Sequence, residues 1–361
     1  MALHSKNLDY KLIEKKEMKM EIKLKFKTVE WSKNKVRILD QTKLPLKVSY
    51  LEYDDYKKLA RAIKELKIRG APAIGIAAAY GVVLGMMQGK YAGKNEYEKR
   101  LDMVISALRS TRPTAVNLFW ALDRMKKVAL EYEGYDMEIR NKRLLHEALL
   151  IHQEDKVMCQ KIGEYGSKLL KNGCRILTHC NAGALATGGI GTALAPLFIA
   201  KAQGKKIKVY VDETRPVLQG ARLTTWELLH QGIDTVLICD DMAAFLMQKK
   251  MIDCIITGAD RIVKNLDVAN KIWTYNLAVL AKFHKIPFYL AAPSSSFDYS
   301  VESGDKIKIE ERPSEEVTSF WGKRTAPKKV KVFSPAFDIT PANLITAIIT
   351  DKGIIRGKRR D

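Results

Sequence analysis

Cys174-Arg-Ile-Leu-Thr-His179 and Asp253-Cys-Ile-Ile-Thr257 are two short apolar runs, each with the composition of a buried strand. Cys180 follows the first run directly, and Asp260 comes shortly after the second. In a chain that alternates strands and helices, such strands pair in parallel and their carboxyl ends open onto one crevice, where ligands bind. The sequence therefore predicts an enzyme in which a thiol and a carboxyl group form an acid–base or nucleophilic pair.

The same alternation extends through the chain from about residue 155. Strands are predicted at 175–179, 207–211, 235–239, 253–257, 286–292 and 330–333. Helices are predicted at 155–171, 190–203, 216–231, 241–250, 269–284 and 340–351. This order is typical of a parallel sheet covered by helices on both faces. The stretch 294–327, rich in Ser, Glu, Lys and Pro, is predicted to form a long loop over the site.

The first part of the chain has a different pattern. Residues 20–29 alternate between apolar and charged, which predicts a half-buried strand, and a second strand is predicted at 36–39. Helical spacing covers 56–66, 73–87, 96–109, 114–132 and 137–152. The predicted fold class is therefore α/β, with a parallel-sheet C-terminal domain and a mainly helical N-terminal domain preceded by a small β element. The predicted divisions are an extension with a strand (1–28), the helical domain (29–153) and the catalytic domain (154–361).

Composition narrows the class of protein further. With 62 Lys and Arg against 41 Asp and Glu, the formal net charge is +21. The positive charge is spread over short pieces, and no basic motif interleaved with aromatic residues accompanies them. We therefore expect a Lys-rich surface like that of heat-adapted proteins rather than a nucleic-acid site. The chain has no long uncharged apolar run, which predicts no membrane span. The start Met1–Lys6 has no apolar stretch typical of a signal peptide, so we expect a cytoplasmic protein.

The cysteines give no sign of a metal site. The chain has five, an odd number, and no Cys-x-x-Cys pair, which argues against a disulfide framework and a structural zinc ion. The polar residues after the strands form a different kind of cluster. They are Cys180, Asn181, Asp212, Glu213, Arg215, Asp240, Asp241, Gly258, Asp260 and Arg261. Aspartates after strands also cap helices, and free cysteines are commonly buried, so each residue alone has a structural explanation.

Two segments rich in small residues suggest an anion site. Residues 181–192, here called the glycine loop, match neither a Walker A motif nor a dinucleotide fingerprint. We expect the backbone of this loop to approach a ligand closely, with its N–H groups facing an anion. Gly70–Ala73, at the start of another helix, offers similar geometry, and Arg69 and Arg112 are candidates for bidentate contacts to a phosphate.

Seven motifs follow one another along nearly the whole chain. They are Ile68–Gly81 (IRGAPAIGIAAAYG), Arg112–Asn117 (RPTAVN), Thr178–Thr187 (THCNAGALAT), Asp212–Arg222 (DETRPVLQGAR), Gly258–Ile262 (GADRI), Asp267–Lys271 (DVANK) and Pro335–Pro341 (PAFDITP). Together they resemble the methylthioribose-1-phosphate isomerase family. The resemblance implies a Rossmann-like C-terminal domain, a homodimer, and conversion of 5-methylthio-α-D-ribose 1-phosphate to 5-methylthio-D-ribulose 1-phosphate in methionine salvage.

The resemblance also implies roles for individual residues. Cys180 and Asp260 fall on catalytic positions. The positions that contact substrate are Arg69, Gly70, Ala71, Arg112, Gln219, Asn270 and Lys271. Asp260 would protonate the ring oxygen, and Cys180 would take or relay the proton at C2 as a thiolate near positive charge. A hydride shift with Cys180 stabilising the transition state fits the same residues, and neither route requires a metal or a cofactor.

Three other functions share features of this sequence. The related ribose-1,5-bisphosphate isomerase has the same catalytic Cys and Asp, but it would need a second cationic cluster for its second phosphate. A non-catalytic regulatory subunit of the guanine-nucleotide exchange factor in translation initiation has the same fold. Nucleic-acid binding through the basic surface predicts an affinity that falls steeply with salt. Turnover measured on both sugar phosphates separates the two isomerases. Loss of isomerase activity in a Cys180→Ser protein weighs against a purely regulatory role, and failure to bind RNA at low salt excludes the third function.

Overall fold

The computed structural model describes residues 22–89, 91, 93–112 and 115–356. The N-terminal part begins with a three-stranded antiparallel sheet and continues with helices. Its elements are β1 (Val29–Ser32), β2 (Lys35–Leu39), β3 (Tyr50–Tyr53), α1 (Tyr56–Lys64), α2 (Ala71–Met87), α3 (Lys94–Arg109), α4 (Val116–Glu131) and α5 (Met137–Ser167). Helix α2 is apolar around its whole circumference and is buried between the other helices, as such a helix must be.

The strand predicted at 20–29 is wrong. Residues 22–28 have no regular structure, and the first strand begins at Val29; residues 20 and 21 lie outside the described part of the chain. Phe26 instead packs against Trp226, with ring centroids 4.7 Å apart. The apolar side chains of this segment are therefore buried by contacts with a distant part of the chain rather than by a neighbouring strand.

The second half contains the predicted α/β sheet. Its elements are β4 (Arg175–Thr178), α6 (Ala195–Ala202), β5 (Lys208–Asp212), α7 (Thr225–His230), β6 (Asp234–Ile238), α8 (Ala243–Gln248), β7 (Cys254–Thr257), β8 (Arg261–Val263), β9 (Val268–Lys271), α9 (Thr274–His284), β10 (Phe288–Ala291), β11 (Phe297–Asp298), α10 (Glu315–Thr318), β12 (Ser319–Phe320), β13 (Lys323–Arg324), β14 (Phe337–Thr340), β15 (Ala347–Thr350) and β16 (Gly353–Arg356). Seven strands form one sheet in the order β16-β15-β10-β7-β4-β5-β6, and only the β15–β16 pair is antiparallel. The predicted fold class is confirmed.

Two predictions near the C-terminus are wrong. Residues 330–333 form no strand, and 340–351 is not a helix but contains β15 and a turn into β16. The segment Ala347-Ile-Ile-Thr350 is rich in β-branched residues and pairs beside β10, where both faces are buried. Likewise, the helix predicted at 269–284 begins only at Thr274, because β9 occupies its first residues and Trp273 has a left-handed φ of 90°.

Helix α5 connects the two halves. The separate helices predicted at 137–152 and 155–171 are one continuous helix of 31 residues, so the domain boundary proposed at residue 153 falls inside it. Its Ile151 belongs to the apolar core of the helical part, whereas Cys159 belongs to the core beneath the large sheet. The division into domains remains a prediction. In the described part of the chain, no helix is long and apolar enough to cross a membrane.

Candidate active site

A cavity of about 510 Å³ opens at the carboxyl ends of β4 and β7, between the helical half and the sheet. All nine predicted site residues line it. They are Arg69, Gly70, Ala71, Arg112, Cys180, Gln219, Asp260, Asn270 and Lys271. The segment predicted to lie over the site does so, because Ile307–Glu310, Arg312, Glu316 and Ser319–Trp321 also line the cavity.

Cys180 has an unusual backbone conformation immediately after β4. Its φ is 61°, in the left-handed region that residues other than glycine rarely adopt. Two threonines hold it there: its N–H donates to Thr214 Oγ1 (2.9 Å), and its carbonyl accepts from Thr224 Oγ1 (2.6 Å). Strain of this kind persists only where surrounding contacts fix it, and it is concentrated at functional sites. The fold therefore fixes where the thiol enters the cavity.

Asp260 lies between the end of β7 and β8, and its N–H donates to the carbonyl of Ala269 (3.0 Å). Its side chain is exposed, but it opens into the cavity, whose walls partly shield it from bulk water. This burial raises the pKa of Asp260, although the nearby charges of Lys271, Arg69 and Arg112 act in the opposite direction. A carboxyl group in such a site keeps its proton to higher pH and can serve as an acid.

Cationic groups surround the same space. Burial lowers the pKa of both Arg112 and Lys271, since removing a cation from water disfavours its charged form. Lys271 Nζ donates to the carbonyl of Ala336 (2.9 Å), and the charges of Cys180 and Asp260 favour its protonated form. Arg69 donates to Asn181 Oδ1 (3.0 Å) and to the Asn181 carbonyl (3.1 Å). The cavity thus combines desolvated positive charge with a thiol and an acid.

Gly70 and Ala71 form the start of α2, where the helix dipole and unpaired N–H groups favour an anion. Gly70 has a φ of 89°, and a Cβ there would lie 2.4 Å from the Ala186 backbone. Glycine is therefore required for α2 to begin against the glycine loop. Gln219 and Asn270 are buried at the cavity wall, and among the described residues Gln219 Oε1 has no hydrogen-bond partner.

Comparisons with known proteins identify the family. Residues 67–357 match the model of the initiation factor 2 subunit family. Methylthioribose-1-phosphate isomerase from Desulforamulus reducens is 52% identical over 325 residues, covering 90% of this chain and 94% of that protein. The chain belongs to the methylthioribose-1-phosphate isomerase family. The resemblance seen in the seven motifs is thereby confirmed.

Two solved structures share the whole fold. 5-Methylthioribose 1-phosphate isomerase from Pyrococcus horikoshii OT3 is 44% identical, with a TM-score of 0.86 and coverage of 94% of this chain and 93% of that one. Translation initiation factor eIF-2B, subunit delta, from A. fulgidus is 45% identical, with a TM-score of 0.84 and coverage of 92% and 96%. The fold is thus shared by proteins with two different names, so the residues of the cavity, rather than the fold, indicate the function.

The sequence did not predict one buried contact, that between His179 and Asp212. His179 Nε2 lies 2.9 Å from the carbonyl of Ile272, and Nδ1 lies 3.1 Å from Asp212 Oδ2. Because a carbonyl only accepts, Nε2 is the donor to Ile272, and Nδ1 faces the Asp212 carboxyl group. Burial raises the pKa of Asp212 to about 6, against the effect of His179. Only the tertiary structure reveals this pair, which fixes the residue preceding Cys180.

Asp240, another acid at a strand end, has a structural task. Both oxygens of Asp240 accept backbone N–H groups, from Thr214 (2.8 Å) and Arg215 (2.7 Å), so this aspartate holds the turn after β5 rather than entering the cavity. His179, Asp212 and Asp240 place one possible ligand atom each within 4.8 Å of one another. His179 already contacts Asp212, and Asp240 accepts from the Thr214 and Arg215 amides. We therefore assign these residues to shaping the turn and not to a metal site.

The expectation for the glycine loop is wrong in one respect. Its N–H groups at Ala184 and Leu185 donate to the buried carboxylate of Glu227 (2.6 and 3.2 Å), and that of Gly188 donates to Asp155 (2.6 Å). These amides therefore face carboxylates of the protein itself rather than a ligand. The small residues allow close packing instead, as the contact between Gly70 and Ala186 shows.

Proposed function

We propose that this chain converts 5-methylthio-α-D-ribose 1-phosphate to 5-methylthio-D-ribulose 1-phosphate. The observation that carries the proposal is the meeting of Cys180 and Asp260 in one cavity with Arg69, Arg112 and Lys271. A sugar phosphate fits this set, because the cations balance the phosphate while the thiol and the acid act on the ring. Membership of the family supports the same reaction.

The anomeric oxygen of this substrate carries phosphate, so the ring cannot open to a free aldehyde. We assign Asp260 to donate a proton to the ring oxygen as the bond from C1 to that oxygen breaks. Cys180, as a thiolate beside Lys271, takes the proton from C2, and the electrons of that C–H bond form the C1–C2 double bond. The resulting enediol then loses its C2 hydroxyl proton to Asp260 and gains a proton at C1 from Cys180, which gives the ketone and restores both groups.

The phosphate is assigned to the start of α2. Helix N-termini bind anions through free N–H groups and the helix dipole, and buried arginines add bidentate contacts. Gly70 and Ala71 supply the helix terminus, and Arg69 and Arg112 flank it in the cavity wall. Gln219 Oε1 and the Asn270 side chain are assigned to sugar hydroxyl groups, since both are buried polar groups at the same wall.

A bisphosphate substrate fits the cavity less well. Three further arginines line it, and each is already engaged: Arg222 donates to the Gln41 carbonyl (2.9 Å), Arg261 pairs with Asp298 (3.4 Å), and Arg312 pairs with Glu310 (2.9 Å). Glu65, Glu310 and Glu316 add negative charge to the lining. Among the described residues, Lys308 is the other lining cation, and it is exposed. These features oppose a second phosphate.

We expect the purified protein to turn over methylthioribose 1-phosphate at least about 100-fold more efficiently than ribose 1,5-bisphosphate, a discrimination of the size that unpaired or like charges in a site produce. Ketose formation measured on both substrates under the same conditions checks this. Equal or reversed kcat/KM values would move the assignment to the bisphosphate enzyme. Absence of turnover on both would favour the regulatory-subunit function suggested by the similarity to the A. fulgidus protein.

The assembly is proposed to be a homodimer, and the cytoplasm and methionine salvage are proposed as its setting. Exposed apolar side chains form a patch beside the free edge strand β6: Leu229 (62% exposed), Leu237 (51%), Met242 (46%) and Phe245 (57%). A patch of this kind beside an unpaired strand edge commonly marks an interaction surface. A second copy of the chain is the proposed partner.

Phe245→Glu is expected to convert the dimer to a monomer, because it places a charge in the centre of the apolar patch. Light scattering should then give the 40.8 kDa of one chain instead of twice that mass. Phe333→Glu, at a residue that is 78% exposed elsewhere on the surface, should leave the dimer intact. A dimer that persists in the Phe245→Glu protein would place the interface on another face.

A further inference from the structure

Glu227 is a buried carboxylate on α7 with no direct place in the proposed reaction. Its side chain is fully buried, and it does not line the cavity. Burial raises its pKa to about 7, against the effects of Asn181, the Leu185 and Ala184 amides and Arg69. An acid buried at this depth is costly unless its environment satisfies it, so the contacts that it makes must account for its presence.

In each hydrogen bond that the described structure gives the Glu227 side chain, the partner is a donor. Oε1 accepts from Asn181 Nδ2 (2.7 Å) and from the N–H of Leu185 (3.2 Å), and Oε2 accepts from the N–H of Ala184 (2.6 Å). Both oxygens therefore act as acceptors, and none of these three donors could accept a hydrogen bond from a neutral acid. The glycine loop thus folds around the Glu227 carboxyl group.

The loop also has the shape that this contact requires. A Cβ at Gly183 would lie 2.3 Å from Glu227 Oε2, so only glycine at this position lets the loop close over the carboxylate. The same loop then packs against the turn that begins α2, where Gly70 contacts Ala186. Glu227 therefore holds the part of the loop that directly precedes the contact with the start of α2.

One residue connects Glu227 to the cations of the cavity. Asn181 donates its Nδ2 to Glu227, while its Oδ1 and its backbone carbonyl both accept from the Arg69 guanidinium (3.0 and 3.1 Å). Glu227 Oε1, together with Thr224 Oγ1 (3.2 Å), fixes which end of the Asn181 amide faces Arg69, because a flipped amide would direct a donor at a donor. The orientation of the guanidinium in the cavity thus depends on a carboxylate that does not reach the cavity.

We propose that Glu227 is a positioning residue, which holds Asn181 and the glycine loop so that Arg69 is oriented toward the phosphate of the substrate. This inference rests on the proposed function for its choice of ligand. It assigns to Glu227 neither proton transfer nor substrate contact. The requirement is for two acceptor oxygens at the distance that Asn181 and the Ala184 and Leu185 amides reach, so a carboxylate on a shorter side chain should meet it only in part.

The experiment compares Glu227→Gln with Glu227→Asp, using Glu164→Gln as the matched control. Glutamine preserves volume but places an NH₂ group against donors, whereas aspartate keeps two acceptors at shorter reach. Glu164 is on α5, where it accepts from Gln160 within the same helix (2.9 Å). We expect kcat/KM to fall about 100-fold in Glu227→Gln, mainly through a higher KM, and less in Glu227→Asp, since small misplacements of a binding group have effects of this size.

Calorimetric binding of inorganic phosphate gives a readout that does not require turnover. We expect the Kd for phosphate to rise about tenfold in Glu227→Gln and to stay unchanged in Glu164→Gln. If wild type fails to isomerise the sugar but Glu227→Gln still loses phosphate affinity, the proposed function fails and the positioning inference stands. Phosphate affinity within twofold of wild type in a folded Glu227→Gln protein, or higher activity in Glu227→Gln than in Glu227→Asp, would overturn it. Should Glu227→Gln fail to fold, phosphate affinity in Glu227→Asp decides, with an unchanged Kd overturning the inference and a weaker one supporting it.

Discussion

Cys180→Ser is expected to lower kcat for methylthioribose 1-phosphate by about 10²–10⁴-fold, the usual contribution of a positioned acid or base. The hydroxyl that replaces the thiol is far less acidic, so at neutral pH it does not form an anion beside Lys271 that could accept the C2 proton. The left-handed backbone at Cys180 is held by Thr214 and Thr224 through main-chain atoms, so the substitution should leave the fold unchanged. Initial rates of ketose formation and a thermal melt measure the two effects.

Cys174→Ser is the matched control, because Cys174 immediately precedes the other end of the same strand, β4, outside the cavity. It should retain turnover close to that of wild type. Wild-type turnover in D₂O tests the assigned step directly. Proton transfer through Cys180 places deuterium at C1 of the product, whereas a hydride shift retains the original hydrogen. A Cys180→Ser protein with near-normal kcat would remove the cysteine from the mechanism.

Asp260→Asn is expected to lower kcat by a similar factor, about 10²–10⁴-fold, since it removes the proton donor while preserving the size of the side chain. The acid must be protonated to act, and burial raises its pKa. Wild-type activity should therefore decline as pH rises through that raised pKa, and the pH–rate profile of the asparagine protein should lack this decline. Rates measured across pH for both proteins check the assignment.

The same group has a predictable effect on stability. Between the unfolded pKa of an aspartate, about 3.9, and the raised folded value, the native state binds more protons than the unfolded state. Its contribution to the free energy of unfolding therefore falls as pH rises through this interval, and Asp260→Asn should flatten that dependence. Asp253→Asn is the control: Asp253 pairs with Arg175 at the exposed opposite end of β7. Equal pH–stability curves for wild type and Asp260→Asn would contradict the burial argument.

The strands that carry the site were predicted from the sequence, whereas the C-terminal strands were not. Cys180 and Asp260 were predicted to meet because both follow apolar strands, and parallel strands present their carboxyl ends at one edge. Periodicity is a local property, and it was sufficient for β4, β5, β6, β7 and β10. It failed at 340–351, where an apolar segment of helical length contains β15 and the turn into β16, because the place of a segment beside the sheet is decided by its neighbours.

By itself, the sequence determined the fold class, the strand edge at which the chemistry lies, and the family to which the chain belongs. Only the tertiary structure decided which polar groups enter the cavity and which support it. Asp212, Asp240 and Glu227 have the same ionisable group as Asp260, but they form hydrogen bonds within the protein, whereas Asp260 remains open to the cavity. The physical reason is that the role of a carboxyl group depends on the donors and the solvent around it, and these come from segments far away along the chain.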